Sequence, residues 1–412
     1  VLVKEMRIGM LSWESLYSIK VGGVAPHVSE LSEALARRGH EVHVFTRRGD
    51  FESYDKINGV HYQRVDFDVA GDIIAQMDKM SDAIYHRFIA VQKLFGRFDV
   101  VHGHDWHPVH ALNRIKWDCS VPYVFTIHST EWGRCGNNDG NREVSHREWL
   151  GGYESARVIV TTKRMLDELM WLYSIPESKI DIIPNGIVCG KMRRSLDAGR
   201  VKERYGIHPL APVVLFCGRM SYQKGPDLLV EAIPHVLRNR RDVKFVFAGE
   251  GGMRGECERR ANELGVAQAC RFLGYAPASD KEELLNACDL MCIPSRNEPF
   301  GVVVLEAWDA CKPIVATEAI SIVRNFEDGI LAYIQPESIA WCINRLVNNP
   351  EEMKRIASAG CDRIESEFSW DRIAKRTEGV YEKVLAGIDA PTLMHWSENY
   401  KSGEHKGLIA PR

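Results

Sequence analysis

Nowhere does the chain hold an apolar run close to the ~20 residues that a membrane-spanning helix needs, so no spanning segment is expected. The opening stretch Val1–Leu11 is short and broken by Lys4, Glu5 and Arg7, which argues against a secretory leader. Charge of one sign is also missing. The 53 Lys and Arg nearly balance the 56 Asp and Glu, for a formal net charge of -3. A global basic excess that would draw nucleic acid or an anionic membrane is therefore excluded. No low-complexity tract and no internal repeat occurs. The 11 cysteines form no C-x-x-C pair, and Cys288 and Cys292, four apart, have no histidine nearby. That spacing argues against structural zinc, and the expectation is reduced thiols in a cytoplasmic protein. The Walker pattern G-x-x-x-x-G-K-[ST] and the dinucleotide fingerprint G-x-G-x-x-G are both absent.

What is present is a long alternation. The 412 residues, 45% of them hydrophobic, are enough for two or more folded domains. Apolar runs at 6–11, 41–46, 99–103, 123–128, 158–162 and 180–183 read as strands, separated by helical stretches at 26–38, 72–95, 107–117 and 163–173. Residues 185–211 carry no long apolar run and hold Lys191, Arg193 and Arg194, so an inter-domain link is expected there, with a short helix at 198–205. The alternation then restarts, with strands at 213–217, 243–248, 270–274, 290–294 and 314–317. Helices are expected at 226–239, 253–264, 280–287, 301–311 and 336–348, and 351–388 is continuously helix-compatible. Strands this apolar belong in parallel sheets covered by helices on both faces. The fold class is therefore α/β, with two doubly wound domains facing a cleft and ligands at the carboxyl ends of the strands. Residues 389–412 are polar and read as a tail.

Five segments at such strand ends carry chemistry. Lys20-Val21-Gly22-Gly23 precedes the first helix; two glycines let a backbone approach a ligand, and a helix start offers N–H donors. His102-Gly103-His104-Asp105-Trp106-His107 puts three imidazoles and a carboxylate at a strand end. It lacks the i, i+4 helical spacing of strong zinc motifs, so it reads as polar site residues rather than a metal centre. His128 ends another strand and leads into a polar loop. Gly218-Arg219-Met220-Ser221-Tyr222-Gln223-Lys224-Gly225 places two cations where a loop can curl them around one diphosphate. Glu298-Pro299-Phe300-Gly301 opens a helix, with Glu306 in its second turn, and a carboxylate suits sugar hydroxyls. Gly249-Glu250-Gly251-Gly252 alone is a weak Gly-rich loop.

Together these segments resemble the retaining glycosyltransferases of GT-B fold, over nearly the whole chain from Met6 to about Leu385. Glu298 and Glu306 match the E-x7-E motif of that family, Gly218-Arg219 and Lys224-Gly225 its phosphate loop, and Phe368-Ser369-Trp370-Asp371 its closing segment. Within the family, KVGGV, HGHDWH and FTIHSTEWG are similar to glycogen and starch synthase-like enzymes of the family 4/5 type.

The resemblance implies an acceptor-side domain over 1–190, a nucleotide-sugar-binding domain over 191–370, and a helix at 371–388 crossing back to the first. It implies a retaining hexosyltransferase that moves glucose from ADP- or UDP-glucose to an α-glucan, with no cofactor and no metal. Arg219 and Lys224 would stabilise the leaving diphosphate. Glu306 would hold the ribose and Glu298 the donor sugar, with backbone N–H groups from Gly301 and Val302. Lys20, Gly22 and Gly23 would meet the nucleotide sugar from the other side, His128 the reacting centre, and Asp105 the acceptor. A different acceptor, such as a sugar phosphate, and a non-catalytic glucan-binding protein are the alternatives. The loop 129–148 is a candidate for acceptor recognition.

Overall fold

A computed structural model describes residues 5–387, and the expected tail at 389–412 lies outside the described residues. The chain divides into two compact units. Of the described residues, the first is built from 5–135, Asp139–Pro184 and 370–387. The second is Asn185–Ser369 with Gly136–Asn138.

The first unit contains β1 (Arg7–Leu11), β2 (Glu41–Arg47), β3 (Tyr54–Ile57), β4 (Val60–Val65), β5 (Val100–His104), β6 (Tyr123–Ile127), β7 (Arg157–Val160) and β8 (Ile180–Ile182). They form one sheet in the order β3-β4-β2-β1-β5-β6-β7-β8. All neighbours are parallel except β3 and β4, which make an antiparallel hairpin. This hairpin is absent from the sequence analysis. Its turn residues Asn58 and Gly59 both have positive φ, 50° and 85°, the conformation that a two-residue hairpin turn demands.

The helix Trp370–Ala386 packs on the helix Val24–Arg37. Ile373, Ala374 and Tyr381 are buried with Ile8, Met10, Val28 and Leu31 in one apolar cluster. Trp370 Nε1 donates to Glu30 at 2.7 Å, and the Glu378 carboxylate meets both Arg38 and His40. The last helix is thus core of the first unit, which the chain re-enters after completing the second. The helix-compatible stretch 351–388 holds two helices, Pro350–Arg363 and Trp370–Ala386, separated by a wider turn at Ile364–Phe368 and an extended Ser369.

Several histidines lie in the first unit's interior. His43 on β2 is buried, stacked on His61 at 4.5 Å and hydrogen-bonded to Glu41. Burial pushes its pKa from 6.5 down to about 4. A histidine held neutral in the fold costs stability once the unfolded chain can protonate, so stability is lost as pH falls from about 6.5 towards 4. By this residue alone the first unit should be about 2 kcal/mol less stable at pH 5 than at pH 7.5. Urea unfolding at both pH values should show a pH dependence of His43→Phe smaller than the parent's by about 2 kcal/mol; an undiminished difference counts against the assignment.

The second unit holds β9 (Val213–Cys217), β10 (Lys244–Ala248), β11 (Cys270–Gly274), β12 (Leu290–Ile293), β13 (Ile314–Thr317) and β14 (Ile330–Ala332). Its sheet is fully parallel in the order β11-β10-β9-β12-β13-β14. Alternate residues feed opposite faces: Val214, Phe216, Phe245 and Phe247 join one core cluster, while Val213, Leu215, Val246 and Ala248 join the other.

Residues 185–211 are not a free link. Ile187, Met192, Val201, Ile207 and Ala211 are buried in the second unit's core. The Asp309 carboxylate accepts the N–H groups of Gly190 and Met192, each at 2.7 Å. Arg194 pairs with Glu282, and Lys202 with Asp289 at 2.8 Å. Arg193 and Arg194 of the basic cluster are thus anchors for an irregular segment, which a hydrophobic-period search passes over.

One cysteine expectation is corrected. Cys311 and Cys361 are joined by a disulfide, with Cα atoms 5.0 Å apart and a sequence separation of 50. It ties the chain just past the helix Val302–Asp309 to the helix Pro350–Arg363. No spacing rule reveals a pair this far apart. The other nine cysteines are free thiols.

Candidate active site

In each sheet the strand order reverses at one place. The chain runs from β9 outward through β10 and β11, then returns to the other side of β9 for β12, β13 and β14. In the first unit the same reversal falls between β1 and β5. Loops leaving such neighbouring strands diverge to opposite faces and leave a crevice at the carboxyl ends, where open α/β sheets bind ligands. The sequence-derived candidates sit at these two places.

In the second unit, the loop after β9 carries Arg219 and Lys224, and the loop after β12 carries Glu298. Lys224 Nζ lies 2.5 Å from Glu298 Oε2, and Ser295 Oγ donates to the same oxygen at 3.3 Å. Glu298 is buried while Lys224 is half-buried. The two expected groups are thus together, but as partners of each other. Arg219 is exposed. Glu306, in the helix Val302–Asp309, pairs with Lys281 at 2.6 Å. Burial works against the Lys281 ammonium, and the Glu306 carboxylate outweighs it, so the pKa of Lys281 stands above its ordinary value. Lys281 was not singled out in the sequence, because its helix Ala278–Ala287 looks like an ordinary charged surface helix. Gly301 opens the helix Val302–Asp309 at φ 91°, a left-handed conformation that leaves the first N–H groups, Val302 among them, without intrahelical partners.

The weak glycine loop acquires a role here. A Cβ on Gly249 would lie 1.8 Å from the Gly218 carbonyl oxygen, and one on Gly251 2.3 Å from that of Met220. Met220 N–H donates to Glu250 O at 2.8 Å, and Gly218 N–H to Ala248 O at 3.0 Å. The loop after β10 is therefore the bed on which the cationic loop rests.

In the first unit, the loop after β1 carries Lys20, Gly22 and Gly23, all exposed. A residue absent from the sequence analysis organises it. The buried Glu14 carboxylate accepts the N–H groups of Val21 and Gly22 through one oxygen, at 2.6 and 2.7 Å. Burial raises the pKa of Glu14, and those two N–H groups oppose the rise. The signal was available, an acid a few residues after a strand and just ahead of a glycine pair, but a lone acid in a loop has no distinguishing pattern.

Asp105 follows β5 with φ 57°, and its carboxylate is buried, accepting the N–H of His128 at 2.8 Å. Burial pushes the carboxyl up to about 6, against the pull of Arg134 and the His128 and Ser129 N–H groups. Asp105 and His128 are thus brought together, the aspartate holding the chain that bears the histidine. His128 Nε2 is 3.2 Å from His104 Nδ1. Burial pushes His128 down to about 4. His102 is inside the core, bonded to Tyr381 at 2.7 Å and Thr126 at 2.6 Å, so it serves packing. His107 stacks on Trp13 at 4.4 Å.

The segment expected as a loop at 129–148 holds two helices, Glu131–Arg134 and Arg142–Glu154. Asn141 caps the second. Its buried side includes Arg147 and Glu148 beside Val144 and Gly151, so charged residues stand where an apolar stripe would announce a helix. Arg134 bonds Ser129 O at 2.8 Å and Glu148 at 2.5 Å, bracing the turn after His128.

Residues 21–191 match the model of "Glycosyltransferase Family 4", and residues 199–363 that of "Glycosyl transferases group 1". A glycosyltransferase of Methanocaldococcus jannaschii, itself uncharacterised, is 35% identical over 390 residues, covering 92% of this chain and 98% of its own. A glycogen synthase of Mycobacterium tuberculosis is 31% identical over 411 residues, covering 94% and 97%. Among solved structures, the sucrose-phosphate synthase of Thermosynechococcus elongatus superposes with a TM-score of 0.77 at 20% identity, over 93% of this chain and all of that one. At that identity the likeness speaks for the fold alone. Among the described residues no helix is long and apolar enough to cross a membrane. With its two parallel sheets and these matches along nearly its whole length, the chain belongs to the GT-B glycosyltransferases, with a family 4 first half and a group 1 second half.

Proposed function

We propose that the chain is a retaining glucosyltransferase that moves glucose from ADP- or UDP-glucose onto an α-glucan, as a glycogen synthase does. The observation that carries this reading is the arrangement after β9 and β12: Lys224 against Glu298 at 2.5 Å, with Arg219 on the same loop as Lys224 and Glu306 in the second turn of the next helix. The end-to-end similarity to a glycogen synthase at 31% identity supports the choice of acceptor.

In this reading the second unit takes the nucleotide sugar and the first the acceptor. Glu306 accepts from the ribose hydroxyls and Glu298 from the donor sugar. The N–H groups at Gly301 and Val302 face the diphosphate side. Lys20, Gly22 and Gly23 contact the nucleotide sugar, His128 the reacting centre, and Asp105 keeps His128 in place. As the bond between sugar C1 and the phosphate oxygen breaks, charge grows on the diphosphate, and Arg219 and Lys224 stabilise it. The acceptor oxygen attacks C1 from the same face, and the leaving phosphate oxygen takes its proton, so the configuration is retained without a separate base.

Because the counter-charge comes from side chains, transfer should survive chelation. The test offers a panel of nucleotide sugars, with and without glycogen, in excess chelator, and measures released nucleoside diphosphate. Release from ADP- or UDP-glucose that depends on glycogen is expected. Release that depends instead on a sugar phosphate or inositol phosphate would replace the acceptor, and complete loss restored by added metal would overturn the side-chain counter-charge.

A further inference from the structure

Three imidazoles of the first unit converge at the end of β5, the end of β6 and the opening turn of the helix Val24–Arg37. They belong to His104, His128 and His27. Each offers one ring nitrogen such that all three lie within 4.8 Å of one another. His104 Nδ1 and His128 Nε2 are already 3.2 Å apart. Two nitrogens bound to one zinc ion at about 2.0–2.1 Å and the tetrahedral angle stand about 3.3–3.4 Å apart, so the nitrogen separation already suits a shared ion, and each ring has to turn its lone pair from the other nitrogen towards the ion. The His27 ring is 4.5 Å from that of His128 and 5.4 Å from that of His104, centroid to centroid, approaching both edge-on.

The protonation chemistry is compatible. In the free chain, the short His104–His128 approach is an N–H···N hydrogen bond, with one proton between two nitrogens. Metal binding requires both lone pairs. His104 Nε2 is buried and has no hydrogen-bond partner among the described residues. Where His104 carries the shared proton, it can pass to Nε2, freeing Nδ1 without breaking another bond. Where His128 carries it, the proton moves to the far nitrogen of that ring or leaves. Burial favours the neutral form of both rings, and neutral imidazole is the ligating form.

We propose that His27, His104 and His128 bind one divalent transition-metal ion of the zinc or cobalt kind, with the fourth coordination position open. Imidazole ligands select such ions over magnesium or calcium, which prefer oxygen. The ion is not a cofactor of transfer. It engages His128 and so inhibits, a consequence that rests on the role proposed above for that residue, whereas binding itself does not.

The test titrates the chelator-treated full chain with Co²⁺, follows the visible absorption of a tetrahedral site, and then displaces the ion with Zn²⁺. One equivalent is expected to bind with a tetrahedral spectrum. His27→Ala and His104→Ala, checked for folding by circular dichroism, should bind at least about 10²-fold more weakly. The exposed His86 serves as control, and His86→Ala should bind as the parent does. No stoichiometric tetrahedral signal, or an equal signal in folded His27→Ala, overturns the site and would place any bound metal on the free thiols. Transfer assayed alongside should be inhibited by zinc in the parent and spared in His27→Ala; equal inhibition of both overturns the inhibitory role. A cobalt spectrum with no transferase activity from any donor would sink the proposed function and leave the metal site standing.

Discussion

Lys224→Ala is expected to lower turnover by about 10²–10³-fold, equivalent to roughly 2.7–4 kcal/mol, with a smaller rise in the donor Michaelis constant. The ammonium meets the diphosphate in the ground state too, so some affinity must fall. Its contribution grows as the glycosidic bond breaks and charge collects on the bridging oxygen, and only the part that grows lowers the barrier. The ion pair with Glu298 sharpens this expectation. Without Lys224, the buried Glu298 carboxylate keeps the Ser295 hydroxyl at 3.3 Å but loses its cation, and it sits beside the incoming diphosphate. Glu306→Ala should behave differently. Its proposed ribose contact is far from the breaking bond and is similar in ground and transition states, so the loss should appear mainly in the donor Michaelis constant. Steady-state kinetics on variants shown to be folded separate the two patterns. Near-normal turnover of Lys224→Ala at saturating donor would remove the loop after β9 from leaving-group stabilisation.

Gly249→Ala is expected to destabilise the second unit by about 2–4 kcal/mol and to depress transfer further by shifting the loop that bears Arg219 and Lys224. The residue has φ 155°, and a Cβ there would lie 1.8 Å from the Gly218 carbonyl oxygen. That neighbour is backbone, so no side-chain rotation relieves the clash. The β10 loop or the cationic loop must move. Gly252, three residues on, has nothing within 4 Å of an added Cβ. Gly252→Ala should therefore stay within about 0.5 kcal/mol of the parent. Thermal or urea unfolding with donor kinetics checks both. Equal stability of the two variants would mean that the contact between the loops does not matter.

Much of the architecture was legible because parallel sheets bury both faces of every strand. The apolar runs that become β1, β2, β5, β6 and β7, and β9 to β13, stand out against polar loops. The hairpin β3–β4 was not read because strand Tyr54–Ile57 lies at the sheet edge, with Tyr54 and Lys56 exposed, and lacks the apolar density of its neighbours. Its Asn58-Gly59 turn was the available signal. The helix Arg142–Glu154 escaped because Arg147 and Glu148 are buried by pairing with other charges, which a hydrophobic pattern does not register.

Residue types and their place at strand ends follow from sequence alone. Two cations five apart after β9, two acids eight apart after β12, a glycine pair after β1 and histidines after β5 and β6 are all local facts, since a strand's end and the loop behind it are contiguous in the chain. Who touches whom was decided by the tertiary structure. Lys224 meets Glu298 across 74 residues, Lys281 meets Glu306 across 25, and the last helix reaches β5 through Tyr381 and His102 across 279. Such pairings depend on strand order, and strand order is set by which buried faces fit together rather than by any neighbouring residue. The convergence of His27, His104 and His128 has the same origin: three separate segments meet because β1 and β5 lie side by side at the point where the sheet reverses its order.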